Sequence, residues 1–98
     1  MKIISIVTAY DGDRTLTINP PLELKVTRNV DDEYLEAEDK EFNLLCYGLT
    51  MEELRESIEE DLFFLWDCYA QDDPANLSLV AQELREFLLS RMKVTPDV

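Results

Sequence analysis

Along the first half of the chain apolar residues alternate with polar ones; along the second half they recur every three or four positions. The first period is that of a strand with one buried face, the second that of a helix with one buried stripe. Residues 2–10 are rich in β-branched side chains and predict a strand, with Ile4, Ile6 and Tyr10 on one face and Ile3, Val7 and Ala9 on the other. Asp11-Gly12-Asp13 predicts a hairpin turn, because Asp-Gly tolerates the positive φ that a tight hairpin requires. Residues 14–18 predict a short second strand. Asn19-Pro20-Pro21 should break it, since proline donates no ladder hydrogen bond. Residues 22–30 alternate most cleanly: Leu22, Leu24, Val26 and Val30 share one parity, and Glu23, Lys25, Thr27 and Asn29 take the wet face. After the turn at Asp31-Asp32, residues 33–38 predict a short strand bearing Tyr34, Leu35 and Ala37. Residues 38–41 form a charged loop, and residues 42–47 a last strand ended by Gly48.

The pattern then changes. Thr50-x-x-Glu53 is a capping box, in which two side chains satisfy backbone amides that a helix start leaves without partners. Met51, Leu54, Ile58, Leu62, Leu65 and Tyr69 follow on one stripe of an amphipathic helix over about 50–71, stopped by Asp72-Asp73-Pro74. Ser78 predicts the N-cap of a second helix over about 79–92, with Val80, Ala81, Leu84, Phe87, Leu88 and Met92 as its stripe. Residues 93–98 predict a flexible tail. Strands followed by helices give an α+β fold: an antiparallel sheet of about four to five strands (residues 2–47), with two helices packed on one face, forming a single domain over 1–98.

Charge sharpens this reading. Nine Lys and Arg face 22 Asp and Glu, for a net charge of −13. A protein that grips phosphate backbones neutralises them with Lys and Arg, so no direct nucleic-acid or anionic membrane partner is expected. No apolar run approaches the roughly 20 residues of a membrane span. Cys46 and Cys68 are the only cysteines and histidine is absent. This excludes Ser-His-Asp and Cys-His nucleophile systems within the chain, as well as the usual His/Cys zinc sites. Two thiols without a secretory leader fit buried free cysteines in a reducing cytoplasm.

Carboxylates are the abundant reactive groups. Asp31, Asp32, Glu33, Glu36, Glu38 and Asp39 have the chemistry to chelate a hard cation, but no EF-hand spacing accompanies them, and turn formation explains them better. With only Gly12 and Gly48, no phosphate-cradling loop exists. No catalytic residue, metal site or cofactor is therefore expected, and the chain reads as a non-enzyme.

The segment Leu62-Phe63-Phe64-Leu65-Trp66 stands out. On a helical wheel the apolar stripe spans about 80°, with Trp66 near its rim. Phe63 lies about 140° from the stripe centre, among Glu52, Glu56 and Glu59. Phe64 lies about 120° away on the other side, near Glu53 and Glu60. One face of a sheet cannot bury both rings. Either the second helix covers one of them, or Phe63, Phe64 and Trp66 anchor a partner or second subunit while Glu52, Glu56, Glu59 and Glu60 steer it.

Residues 24–66 resemble the HicB-like antitoxin family. The resemblance rests on the alternating strand (Leu24, Val26), the charged hairpin at residues 31–33, the strands over 34–38 and 42–47, and above all Gly48-Leu49-Thr50-Met51-Glu52-Glu53-Leu54, which is similar to that family's entry into its helix. The resemblance implies a partial RNase H-like fold without nuclease residues, and sequestration of a small basic mRNA interferase. The family's proline-rich strand ending is missing, and no ribbon-helix-helix or helix-turn-helix module follows, so operator binding is not expected. The leading expectation is a small acidic cytoplasmic interaction module, homodimeric, that neutralises a small basic protein partner. The alternatives are a nucleic-acid-mimicking inhibitor and a purely structural homodimer.

Overall fold

A computed structural model describes residues 2–29, 31 and 33–96. Val30 and Asp32, to which the sequence pattern assigned a strand position and a turn, lie outside the described residues, as do Asp97 and Val98 of the expected tail. The fold is α+β: an antiparallel sheet with two helices. The strands are β1 (Lys2–Asp11), β2 (Arg14–Asn29), β3 (Tyr34–Asp39), β4 (Leu44–Gly48) and β5 (Met92–Pro96); the helices are α1 (Met51–Leu65) and α2 (Leu79–Arg91). The sheet runs β1-β2-β3-β4, with β5 also paired to β2.

β2 organises the sheet. β1 runs along one side of it, while β5 pairs with its first part (Arg14 to Ile18) and β3 with its last (Lys25 to Asn29). The expected break at Asn19-Pro20-Pro21 is instead a bulge within one continuous strand. Ile6 pairs with Leu22 and Thr8 with Thr17, so four residues of β2 stand opposite Val7 alone. Missing proline N–H groups are tolerated where a bulge already interrupts the ladder. The irregularity also shifts the parity of β1: Ile6 and Ala9 are buried while Tyr10 is exposed, reversing the predicted faces of Ala9 and Tyr10. A strict period of two does not survive an inserted residue.

The tail is the other correction. Residues 93–96, expected to fray, join Met92, expected to end the second helix, in β5 against the first part of β2, and Met92 is buried. The pattern there is too short to stand out, and its partner, residues 14–18, lies far earlier in the chain.

The buried side chains form one cluster. Ile6, Leu16, Ile18, Leu22, Leu24, Val26, Ala37, Leu44 and Cys46 come from the inner face of the sheet, and Leu54, Ile58, Leu62 and Leu88 from the helices. α1 lies against this face as its stripe predicts, but helical winding changes at Leu65 and residues Trp66–Ala70 form a π-helical turn. α2 buries only Leu88 fully; Val80, assigned to its stripe, faces solvent, as does Leu79. Arg91, at the end of α2, donates to Glu41 Oε2 (2.6 Å) and to the Pro20 carbonyl (3.0 Å), tying the helix to the β2 bulge and the β3–β4 loop. Among the described residues no helix is long and apolar enough to cross a membrane.

Candidate functional site

The junction between β4 and α1 fixes where α1 starts. A Cβ at Gly48 would stand 2.4 Å from the Leu54 amide nitrogen, so only glycine lets the strand pass so close to the helix. Thr50 then caps α1, its hydroxyl accepting from the Glu53 N–H at 3.1 Å. The return bond reaches one residue further back than in the usual capping box: Glu53 Oε2 accepts from the Leu49 N–H at 2.9 Å.

From this start, Leu54, Ile58 and Leu62 face the sheet. Phe63 points off their stripe but is buried, at 4% exposure. Its cover is the β1–β2 hairpin, not the second helix. The Arg14 guanidinium sits 4.7 Å from the centre of the Phe63 ring. It is held there by Asp67 (2.6 and 3.0 Å) and Asp11 (2.6 Å). Those two carboxylates, Asp67 first, raise the guanidinium pKa above its already high value. A second tie joins the same elements: the Tyr10 N–H donates to Glu59 Oε2 at 2.8 Å. Gly12, with φ +57°, makes the tight turn between Tyr10 and Arg14 possible.

The result is an open groove between the hairpin tip and α1. It is lined by Tyr10, Asp11 and Gly12 on one side and by Glu56, Glu59, Glu60, Phe63, Phe64 and Asp67 on the other. Phe64 is 63% exposed. An aromatic ring left in water beside several carboxylates forgoes roughly 2 kcal/mol of burial.

The residues singled out by sequence are therefore divided. Glu56, Glu59, Glu60, Phe63 and Phe64 come together in the groove. Phe63 forms part of its wall while largely covered within the chain. Trp66 is buried in the core cluster, and its indole N–H finds no acceptor among the described residues, so it offers no accessible anchor. Glu52, in the first turn of α1, is exposed but does not line the groove. Sequence reasoning missed Tyr10, Asp11, Arg14 and Asp67. The hairpin itself was readable from Asp11-Gly12-Asp13; its docking onto α1 depends on contacts across about fifty residues, which no local pattern encodes.

Elsewhere, the Cys46 thiol donates to Asp61 Oδ2 at 3.2 Å beneath α1. Burial first, and Asp61 next, push its pKa up to about 12. On the outer face of the sheet Tyr34 and Tyr47 meet edge to face, with ring centres 5.3 Å apart. Among the described residues no group of three or more His, Cys, Asp or Glu side chains is arranged to hold a metal ion. No family model matches the chain, and comparisons with curated proteins and with solved structures return no match.

Proposed function

We propose that this chain is a non-enzymatic interaction module whose groove between the β1–β2 hairpin and α1 receives a basic segment of a protein partner. The observation that carries this reading is Phe64: a ring 63% exposed, lining a groove with Glu56, Glu59, Glu60, Asp11 and Asp67. A large ring rimmed by charge is the composition of a binding hot spot, and carboxylates around it select a Lys- or Arg-rich ligand. Part of the wall is rigid by construction, since Arg14 and Glu59 fasten the hairpin to α1. A preformed groove lowers the ordering cost of association.

The net charge of −13 points the same way, by speeding encounter with a basic partner. Neutralising a small basic protein, as the HicB-like antitoxins do, is the specific form of this reading that the Gly48 to Leu54 segment suggests. A nucleic-acid mimic would need carboxylates alone; the exposed ring favours a protein ligand.

The test is affinity capture from cells at low and high salt, repeated with Phe64→Ala and with Glu56→Gln combined with Glu60→Gln. A basic protein captured near stoichiometrically, weakened by both variants and by salt, supports the proposal. A partner held equally by the wild type and both variants places its binding elsewhere and refutes it.

A further inference from the structure

β1 lies at a margin of the sheet, with β2 on one side and no strand on the other among the described residues. Edge strands ordinarily carry charges, prolines or short lengths that discourage pairing with another chain. β1 has ten residues, and between Lys2 and Asp11 it contains neither a charge nor a proline. Its solvent face presents Ile3 at 56% and Val7 at 51% exposure. Among the described residues the edge is blocked at one end only, where the Tyr10 N–H is taken by Glu59. This leaves residues 2–8 as the open stretch.

That stretch is self-complementary about its centre, Ser5. Antiparallel pairing of two copies about Ser5 sets Ile3 of one copy against Val7 of the other on the solvent face, twice over. It sets Ile4 against Ile6 on the core face and brings the two small Ser5 side chains together at the two-fold axis. The parities agree in both apolar pairs: Ile3 and Val7 are exposed, whereas Ile4 is half-buried and Ile6 buried, and the β1–β2 ladder is regular from Lys2 to Ile6. A slip of one residue would put exposed Ile3 opposite buried Ile6, and a slip of two would set Ser5 against Ile3 or Val7, so pairing about Ser5 is the register that matches the apolar side chains with one another. We infer that this chain forms a two-fold dimer through β1, joining the two sheets into one. A second copy is the occupant because both halves of the match come from the same short segment, the condition for an isologous contact. The pairing stops short of Tyr10, so both grooves stay open in the dimer. Since each copy carries −13, salt should strengthen the dimer, opposite to its effect on a basic ligand.

The experiment is sedimentation equilibrium of the full chain across a concentration series. The wild type should reach twice the 11.4 kDa chain mass. Ile3→Lys combined with Val7→Lys should raise the dissociation constant about tenfold or more, as should Ile3→Glu with Val7→Glu; an equimolar mixture of the two should dimerise again. In a Cys68→Ser background, Ser5→Cys should oxidise to a linked dimer, because residues facing each other in antiparallel strands lie within disulfide reach. Ile3→Cys should not, its copies being about four residues out of register. Circular dichroism confirms that each variant folds. A wild type that keeps the single-chain mass at every concentration overturns the inference. So does a dimer that survives the lysine pair, or a dimer whose residue-5 cysteines fail to link.

Discussion

Phe63 and Phe64 are adjacent, yet one is 4% and the other 63% exposed, because the hairpin tip reaches over one flank of α1 and not the other. Their truncations should separate stability from binding. Phe63→Ala should cost about 3–5 kcal/mol in chemical denaturation, and Phe64→Ala no more than about 0.5 kcal/mol while weakening the complex. The wheel placed both rings off the stripe correctly, but local periodicity does not say which flank a distant hairpin will cover. Cys46 and Cys68 differ in the same way. The first is buried and bonded to Asp61, the second exposed. A thiol reagent should therefore label one cysteine in the native chain and two in denaturant; two fast equivalents in the native state would contradict the burial. The Cys46 pKa is higher in the folded chain than its ordinary value of 9.0, reaching about 12. Its contribution to stability is thus complete below about 9 and is lost as pH rises from there toward about 12. A pH series of denaturation midpoints should show that alkaline decline, reduced in Cys46→Ala.

Among the elements, the hairpin and β5 carry the consequences. Arg14 joins Asp11, Asp67 and the Phe63 ring. Its ion pairs are partly exposed and weak individually, so Arg14→Ala should lower global stability by only about 1 kcal/mol. It should nevertheless release the hairpin tip, seen as faster hydrogen exchange at the Tyr10 amide. β5 makes a stronger prediction. Ending the chain at Arg91 removes buried Met92 and the ladder on Arg14 to Ile18, which should cost about 2 kcal/mol or more; an unchanged denaturation midpoint would mean that the tail is not part of the sheet. The α+β order, the helix starts at Thr50 and Ser78 and the hairpin at Gly12 were legible because caps, turns and periodicity are local. β5 and the continuity of β2 through Pro20 and Pro21 were not, because strand pairing is decided by partners remote in sequence and a proline pair at a bulge looks like a proline pair in a loop.

For the molecule as a whole, the decisive property is the distribution of its charge. Five of the groove's lining residues lie on α1, Asp67 lies on the π-helical turn that follows it, and three more lie on the hairpin tip, so the fold gathers into one place carboxylates that the sequence spreads over more than fifty positions. Half of that site was readable: Glu56, Glu59, Glu60 and the two phenylalanines follow from helical geometry alone, whereas Asp11 and Tyr10 join them only through the tertiary contact with Arg14. The proposed role of this groove is to hold a basic protein segment around Phe64. The most direct measurement is photo-cross-linking in cells, with a benzophenone side chain at position 64 and, as the control, at Leu45 on the outer face of the sheet. One Lys- and Arg-rich protein should be linked at position 64 and not at 45, with the yield falling when Glu56 and Glu60 are changed to Gln. Equal linking at both positions, or linking at 64 to a partner of no basic character, would contradict it.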